Sequence, residues 1–511
     1  MDKVIVIEGQ TELDGRIDGQ VNIDTQIDGE FGTFFEITPP TPPPTPVPEL
    51  VIKDVMFMDY DGSVVASYDA ADFIANVTEL PTPPSHDGLT FQEWNWDLAD
   101  IKTELQTGSG ACCIGAHYTT NDGNTHFYID LEQKQGYDTV SLNIQRVSGT
   151  VTIEWGDGGS NSYSGGSTIY GSHTYTEYGE YTITVSGEFK FVNGMMGIRP
   201  KRNNTSSGAW YNVPNYFLKH VEIGANATIS TDVYDLFTKC PKLETITTHK
   251  DFLGTTAPTN FRFTNIFSVC SSLKFFVFPK IMSNVSTTTH SSAPMANCFT
   301  GCASLITVSF PKRFYWIAVT FDASGLLFLY FPYVPTITIK GDTRISMNSS
   351  PNLRKLVMKF DAYSTTYSNG LVYQMLNNCY ALETVTLSQM PFGYPNAYMM
   401  QNCNNFCGEN GTVTLDASVT VLSGQNFQSV TGVKKYVFLG NVTSIGSAAF
   451  YYNYACMEYD FTHNTQVPTL ANTNAFSGIM PECKIKVPAA LESSWKTAAN
   501  WSNYASYIVG V

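Results

Sequence analysis

The sequence predicts a mainly β, multi-domain protein whose second half is a stack of repeated units. Only 14% of its 511 residues are charged and 13% are aromatic, a balance that favours pleated, half-buried strands over exposed helices. A proline-rich stretch near the N-terminus indicates a spacer between separate parts. A recurring pattern of apolar residues and cysteine indicates the stack. A chain this long exceeds one hydrophobic core, so we expect several domains.

The charge balance limits the partners. The chain has 29 Lys and Arg against 45 Asp and Glu, a formal net charge of −16, so nucleic acid and anionic membranes are disfavoured as partners. No apolar run approaches the roughly 20 residues that a membrane span needs, and we expect no membrane insertion. The opening MDKVIVIEG holds too short an apolar stretch for a signal peptide. Release inside a virion is the expected alternative route to the outside.

The first 48 residues predict an attachment segment and a spacer. Residues 1–37 repeat an apolar-Asp-Gly unit, as at Leu13, Ile17 and Ile27, and the repeated turn signals exclude a helix. So short a segment has no core of its own and is ordered only by pairing with copies of itself or with a larger assembly. A flexible tail is the other interpretation. Residues 38–48, TPPTPPPTPVP, predict an extended polyproline linker.

Residues 49–138 predict a small α+β module. Val55 and Phe57, a turn at 59–62 and Val64 indicate a hairpin, and a short helix is expected from Leu98 to Leu105. The strand Phe127–Ile129 is assigned to the same module. Its DYDGSVV, EWNWDLADIK and TNDGNTHFYIDL segments resemble a module of phage and prophage structural proteins from gut bacteria, which implies a virion protein.

Residues 139–200 predict a β-sandwich. A strand runs into the turn Trp155-Gly156-Asp157-Gly158, and Tyr181, Ile183 and Val185 alternate with threonines, which places one face inward. Trp155 is expected in the core, and Asp157 is expected to cap the turn. The order WGDG, HTY and GEYTITV resembles the PKD domain, which implies an immunoglobulin-like fold without catalytic residues.

Residues 212–480 carry a ten-residue pattern with apolar residues at its first, seventh and tenth positions and a small residue or Cys at its fourth. Spacings between units run from 22 residues (Phe299 to Phe321) to 32 (Phe267 to Phe299). Five of the nine fourth positions in the full and partial copies hold Cys, where about 0.2 is expected by chance. The units begin at Phe237, Phe267, Phe299, Phe321, Met347, Leu376, Met400, Phe427 and Phe450, and a divergent unit begins at Phe476.

The F-x-x-C-x-x-L turn followed by a strand ending in Phe278-Pro279 or Phe310-Pro311 resembles the BspA-type leucine-rich repeat. The resemblance implies a solenoid, with loose spacing and lost cysteines in several copies as departures. Each unit offers an apolar face that only its neighbours cover, so the cysteines should line the interior. Residues 481–511, with a strand at Cys483–Pro488 and a short helix near Trp495, should form the C-terminal cap.

No motif for catalysis, a cofactor or a metal is visible, so no catalytic, cofactor-binding or metal-binding residue is assigned, and the ligand-binding residues stay unknown. The eight histidines are scattered, and the 11 cysteines are interpreted as buried thiols rather than disulfides or zinc ligands. An acidic pair for glycoside hydrolysis stays open, because two carboxylates distant in sequence can meet in a fold.

The predicted function is that of a phage virion appendage, a head or tail fibre or decoration protein and not an enzyme. Residues 1–37 attach it to other virion proteins, and the exposed loops of the repeats, rich in Tyr, Asn and Ser, bind a host surface protein or glycan. Self-pairing of residues 1–37 predicts a homo-oligomer such as a trimer, whose copy number supplies avidity. The alternatives are a bacterial cell-surface adhesin with leucine-rich repeats and a surface-glycan depolymerase.

Overall fold

The computed structural model describes residues 50–132, 139–192, 197–200, 214–230, 232–256, 262–284, 295–312, 319–332, 346–359, 375–388, 400, 402–404, 406, 411–415, 417 and 419–511. The predicted attachment segment 1–37 and linker 38–48 lie outside these residues. Strands far outnumber helices among the described residues, as the composition predicts. Residues 52–511 form one compact unit.

The first part of this unit is a four-stranded sheet with two helices. Its elements are β1 (Val55–Met58), β2 (Val64–Tyr68), α1 (Ala70–Asn76), β3 (Leu89–Trp94), α2 (Leu98–Thr107) and β4 (Cys112–Thr120). The predicted hairpin of β1 and β2 and the predicted helix α2 are confirmed. The strand order is β2-β1-β4-β3, with β1 parallel to β4. Phe57, Trp94 and Ile101 fill the core of this part, which we call the docking module.

Two further sheets enclose Trp155, which is fully buried as predicted. Asp157 caps its turn by accepting a 2.9 Å hydrogen bond from the Gly159 N–H. The strands are β5 (Thr125–Leu131), β6 (Thr139–Arg146), β7 (Val151–Glu154), β8 (Ser160–Tyr163), β9 (Thr168–Thr174), β10 (Gly179–Ser186), β11 (Phe189–Phe191), β12 (Gly197–Pro200), β13 (Leu218–Ile223) and β14 (Ala227–Ile229).

One sheet of this sandwich departs from the domain boundary expected at residue 138. Strand β5, which the sequence analysis assigned to the small module, pairs antiparallel with β10 and with β13. The physical reason is its alternation: Phe127, Ile129 and Leu131 are buried in the sandwich core rather than in the docking module. The same sheet continues through β13 to β16 (Thr245–Thr248), a strand of the repeats.

Parallel strands recur along the repeats. They are β15 (Asp232–Tyr234), β16 (Thr245–Thr248), β17 (Arg262–Thr264), β18 (Phe275–Val277), β19 (Thr307–Ser309), β20 (Phe328–Tyr330), β21 (Lys355–Lys359), β22 (Thr384–Ser388), β23 (Thr412–Leu415), β24 (Val421–Leu422), β25 (Lys435–Phe438), β26 (Ser444–Ile445), β27 (Glu458–Asp460), β28 (Thr469–Leu470) and β29 (Lys484–Val487). Each pairs parallel with a strand of a neighbouring unit.

Aromatic side chains at the first position of the units stack on one another. The rings of Phe237 and Phe267 have centroids 5.8 Å apart, and those of Phe267 and Phe299 are 5.6 Å apart. The same stacking returns later, with 5.5 Å between the rings of Phe427 and Phe450. Stacked strands lie about 4.7–4.9 Å apart, so rings at equivalent positions meet at contact distance. Units that begin with Phe therefore bury this side chain against the next such unit.

The fourth position of the units supplies a hydrogen-bond donor to the interior. In six units its side chain donates to the backbone carbonyl at the first position of the preceding unit, over 2.7–3.2 Å. The donor–acceptor pairs are Cys270–Phe237, Cys302–Phe267, Ser350–Phe321, Cys379–Met347, Cys403–Leu376 and Asn453–Phe427. A buried carbonyl with a free lone pair gains from such a donor, and this explains why Ser and Asn replace Cys here.

All ten cysteines within the described residues are buried and unbridged. Burial raises the pKa of the Cys302 thiol to about 12, because the interior disfavours the thiolate. These thiols therefore act as neutral donors and small core side chains, in the inward position that the repeat pattern predicts.

The chain ends in a closing segment. The last array strand β29 pairs parallel with β30 (Ile508–Gly510), and between them lie 3-10 turns at Ala489–Leu491 and Trp501–Tyr504 and helix α3 (Glu492–Thr497). A further 3-10 turn lies at Lys280–Asn284. Trp495 and Trp501 are fully buried against Phe461 and Phe476 of the last units. These indoles cover the apolar end of the stack, which solvent would otherwise reach.

The docking module covers the outward face of the first array strands. Strand β4 contacts β16, β18, β19 and β20. The residues of these strands that point away from the array interior are small or apolar and nearly fully buried: Phe275, Val277, Thr307, Ser309, Phe328 and Tyr330. Gly115 on β4 permits the close approach, because a Cβ there would collide with the Val277 side chain.

Buried polar contacts fix this packing. The Asn95 side-chain amide donates to the Phe278 carbonyl over 3.0 Å and to Ser309 Oγ over 2.8 Å, and the Asn95 Oδ1 accepts the Gly115 N–H. The Trp96 indole donates to the Phe310 carbonyl over 2.7 Å. These buried polar groups find partners in one another, so the docked arrangement carries no desolvation penalty for them.

The role of the fourth position as a donor yields the first prediction. Cys302→Ala removes the bond to the Phe267 carbonyl and leaves a small void, so we expect the free energy of unfolding to fall by about 1–3 kcal/mol. Cys302→Ser keeps a donor and should cost less than half as much. Urea denaturation followed by circular dichroism measures both.

The reciprocal test uses Ser350, where Ser350→Cys keeps a donor and should be tolerated, whereas Ser350→Ala removes it and should lower stability. Equal losses of stability for Cys302→Ser and Cys302→Ala would contradict the donor role.

A second prediction concerns pH and His117, a fully buried side chain of β4. Its Nδ1 lies 3.0 Å from the Thr248 carbonyl. The pKa of His117 falls from 6.5 to about 4, mainly because burial disfavours the charged ring. Hydrogen bonds to the backbone of Thr248 and Phe278 raise the pKa by less, and the charges of His249 and Lys280 lower it further. Below pH 6.5 the unfolded chain binds a proton that the folded chain refuses, so stability should fall as pH drops from about 6.5 to 4, by on the order of 1 kcal/mol per pH unit.

Denaturation at pH 7, 6 and 5 measures this slope. His117→Gln should flatten it, and the exposed His463→Gln should leave it unchanged. Equal slopes for wild type and His117→Gln would rule out His117 as its source.

Candidate functional site

The outward face of the array strands changes character along the stack. The docking module buries this face in β18, β19 and β20, where it is apolar or small. In β25, β27 and β29 the corresponding positions hold charged residues, among them Lys435, Glu458 and Lys484, which are partly or fully exposed. The later strand face is thus open to solvent, whereas the early one is closed.

The charges on the later strands pair across the sheet. Glu458 lies 2.6 Å from Lys435 Nζ and 2.8 Å from Lys486 Nζ, and Asp460 lies 3.6 Å from Lys435 Nζ. Partial burial opposes ionisation of Glu458, but hydrogen bonds from the two lysines outweigh it and lower its pKa. These charges are largely neutralised by one another, so the face presents paired rather than free charge.

A second surface, which we call the turn edge, consists of the second, third and fifth positions of each unit. Its side chains range from buried (Thr238) through half-buried (Asn378 and Asn402) to exposed (Tyr380 and Tyr454). The third position has a left-handed backbone in ten units, with φ between 54° and 84°. Its residues are Lys239, Val269, Gly301, Ala323, Ser349, Asn378, Asn402, Ser429, Tyr452 and Gly478. The left-handed turn lets the backbone N–H of this residue face the next unit. In eight units that N–H donates to the second-position carbonyl of the following unit over 2.7–3.0 Å.

From Ser349 onwards the turn edge holds no charged residue, and most of its side chains are polar. Asn402 Nδ2 donates to Asn378 Oδ1 over 2.8 Å, and Asn378 Nδ2 lies 3.5 Å from Ser349 Oγ. The fifth positions continue the strip with exposed residues such as Tyr380 and Asn404. Amides and hydroxyls in a row offer both donors and acceptors to a polar ligand.

Three tyrosines stand together on the turn edge of the unit that begins at Phe450. The rings of Tyr451 and Tyr452 have centroids 3.8 Å apart, and those of Tyr452 and Tyr454 are 5.3 Å apart with planes 23° from parallel. Tyr452 is 39% and Tyr454 51% exposed. A hydrogen bond between the side chains of Tyr451 and Tyr452 raises the pKa of Tyr451. We call these three residues the tyrosine cluster.

The sequence did not identify ligand-binding residues, and the tyrosine cluster could not be recognised from it. Nothing in the stretch YYNY distinguishes its exposed tyrosines from core aromatic residues such as Tyr436 and Tyr459. The one usable signal was position: Tyr452 is the only aromatic residue among the ten third positions, six of which hold Asn, Ser or Gly.

The structure also places the groups that resemble catalytic pairs. His86 Nε2 lies 2.7 Å from Asp59, and His173 Nε2 lies 2.6 Å from Asp157. The His173 ring stacks on Trp155, so this pair supports the sandwich core. Across the part of the chain that the structure describes, no three His, Cys, Asp or Glu side chains are grouped to hold a metal ion. In the same residues, helices that are both long and apolar enough to span a bilayer are absent.

Comparison with solved structures finds partial similarities, among them two leucine-rich-repeat proteins. No protein-family model matches the sequence, and no curated protein matches it. A leucine-rich repeat protein from Bacteroides ovatus ATCC 8483 matches 57% of this chain at 16% identity with a TM-score of 0.40, and the match spans 66% of that protein. A leucine rich cell surface protein from Faecalibacterium prausnitzii A2-165 matches 64% of this chain and 95% of its own at 14% identity, with a TM-score of 0.28.

The left-handed turn yields a third prediction. Val269 is β-branched, 44% exposed and has φ of 62°, a conformation that strains such a residue by on the order of 1 kcal/mol. Val269→Asn should therefore raise the free energy of unfolding by about 1 kcal/mol, as measured by urea denaturation. Val147→Asn, at an exposed position without left-handed backbone, is the matched control and should bring no gain. A loss of stability for Val269→Asn would contradict this account of the turn edge.

Proposed function

We propose that this chain is a non-enzymatic recognition protein, displayed on a bacterial surface as a leucine-rich-repeat adhesin, with the turn edge as its binding surface. The observation that supports it is the division of the array's surfaces. The docking module closes the early strand face, and the later strand face neutralises its own charges. The turn edge is left with exposed amides, hydroxyls and tyrosine rings, which suit adaptable polar recognition.

Within this proposal the parts have separate tasks. The parallel units form a solenoid of BspA type, closed by the segment after residue 480, and the sandwich around Trp155 is a PKD-like, immunoglobulin-like domain that holds the docking module against the array. The rigid ladder presents the turn edge without loss of order on binding, which favours affinity. The partner is a surface protein or glycan, and no cofactor takes part.

The phage virion appendage is the second candidate, and specific sequence features favour it. The apolar-Asp-Gly repeats of residues 1–37 and the prolines of residues 38–48 suit attachment of a homo-oligomer to a particle. Both candidates use the same binding surface, but the adhesin displays it on a bacterial cell and the appendage displays it on a virion. Antibodies against the full chain distinguish them: labelling of intact, unpermeabilised cells supports the adhesin, and immunogold labelling of released particles supports the appendage.

The turn edge yields a fourth prediction. Fluorescently labelled full chain should bind saturably to intact bacterial cells, epithelial cells or mucin-coated surfaces. The double variant Asn378→Gly/Asn402→Gly removes two amides and retains residues suited to φ near 60°, so it should fold and yet bind at least about tenfold more weakly. Tyr170→Ala/Tyr178→Ala on the sandwich is the control, since both rings are exposed there.

Three outcomes would overturn the proposal. They are saturable binding that the turn-edge variant leaves unchanged, an absence of binding to all three surfaces, and release of oligosaccharides from a surface polysaccharide incubated with the chain. The last result would identify a depolymerase.

A further inference from the structure

The tyrosine cluster is held in place by buried contacts. Asn453, between two of its members, is buried and donates to the Phe427 carbonyl over 2.7 Å. The Tyr452 N–H donates to the Ser477 carbonyl over 2.9 Å. Gly478 of the next unit leaves room for the rings, because a Cβ there would lie 3.1 Å from both Tyr452 Cδ1 and Tyr454 Cε1. The exposed rings are therefore preorganised, which lowers the entropic cost of binding a ligand.

Tyrosine is a costly choice for the third position. The left-handed backbone costs a bulky residue about 1–2 kcal/mol, and other units hold Asn378, Asn402 or Gly478 there, as well as Lys239, Val269 and Ala323. Strain alone does not mark a binding residue, since Val269 is strained too. Tyr452 differs in that its exposed aromatic ring lies beside a second exposed ring, that of Tyr454, which points to a role in binding.

The absence of charged residues from this part of the turn edge, which we call the strip, narrows the class of ligand. From the unit of Met347 to that of Phe476, the second, third and fifth positions hold no Asp, Glu, Lys or Arg. An anionic ligand would meet no cation on this edge, and a cationic one would meet no carboxylate. Paired charges lie instead on the strand face, at Lys435 and Glu458.

The shape of the strip narrows it further. In eight units the third-position N–H donates to the second-position carbonyl of the next unit, so the turn edge repeats about every 4.7–4.9 Å, the spacing of adjacent strands. Such a strip matches an extended polymer better than a single small molecule. Aromatic faces contact the C–H faces of sugar rings, and amides such as those of Asn378 and Asn402 bond their hydroxyls.

From these observations we infer that the tyrosine cluster and the adjoining amides bind a neutral polysaccharide, with sugar rings stacked on Tyr452 and Tyr454. The inference rests on the proposed function, since it names the ligand class of the turn edge. Tyr451 packs against Tyr452, with ring centroids 3.8 Å apart.

The test uses the full chain and four soluble polysaccharides: galactomannan, xyloglucan and dextran, which are neutral, and alginate, which is anionic. Tyr452→Asn introduces the residue that two other units hold at the third position. Tyr454→Thr introduces the residue that the preceding unit holds at the fifth position, Thr431. Both variants should fold as well as wild type. Tyr170→Ala, which removes a 72% exposed ring from the sandwich, is the matched control.

Affinity electrophoresis and titration calorimetry measure binding. We expect the wild type and Tyr170→Ala to bind at least one neutral polysaccharide and to leave alginate unbound. Each cluster variant should bind roughly tenfold more weakly, the loss expected for one aromatic stacking contact. Circular dichroism and thermal denaturation establish that each variant is folded.

Other results overturn the inference in distinguishable ways. Neutral polysaccharide binding that survives both cluster variants places the site elsewhere, and preferential binding of alginate contradicts the neutral ligand class. If no polysaccharide binds while the full chain still binds cells through Asn378 and Asn402, the glycan inference fails and the recognition function stands. If cell binding is also absent, both fail.

Discussion

Six units of the array are joined by one recurring hydrogen bond, in which a buried side chain donates to the first-position carbonyl of the unit before it. The Phe267 carbonyl accepts a hydrogen bond from the Cys302 thiol, and the Phe321 carbonyl accepts one from the Ser350 hydroxyl. A carbonyl buried in the stack loses its hydrogen bonds with water, and a donor from the neighbouring unit offsets that loss. The left-handed third position provides a second link between units, through its own N–H. Both links join nearest neighbours, which is how a chain of irregular spacing still stacks in register.

The same regular stacking decides which surfaces are available. A parallel ladder has an outward strand face and a turn edge, and the docking module covers the first of these where its residues are apolar. Asn95, buried and bonded to the backbone of two array strands, fixes that cover in place. Beyond the module the strand face turns to paired charges. The turn edge is the other surface of the ladder, and hydrogen bonds to the neighbouring unit fix the left-handed backbone of its third positions.

The predictability of the fold followed the range of the interactions. The hairpin near Asp59, the helix after Leu98 and the inward alternation of Ile183 and Val185 depend on neighbours within a few residues, and pattern alone indicated them. The assignment of Phe127 to Ile129 was wrong because the strand satisfies its alternation equally well in either of two sheets. Only its pairing with β10 and β13, more than 45 residues away in sequence, settles which one.

The sequence by itself determined the mainly β character, the repeat period and the inward position of the cysteines, because these follow from composition and from periodic burial. It did not determine that the thiols are donors, since the acceptor is a backbone carbonyl without any mark in the sequence. It also left the tyrosine cluster hidden among many aromatic residues. Tertiary structure alone decided which rings face solvent, because the same side chain is core or surface according to the neighbour that covers it, as Tyr436 and Tyr452 show.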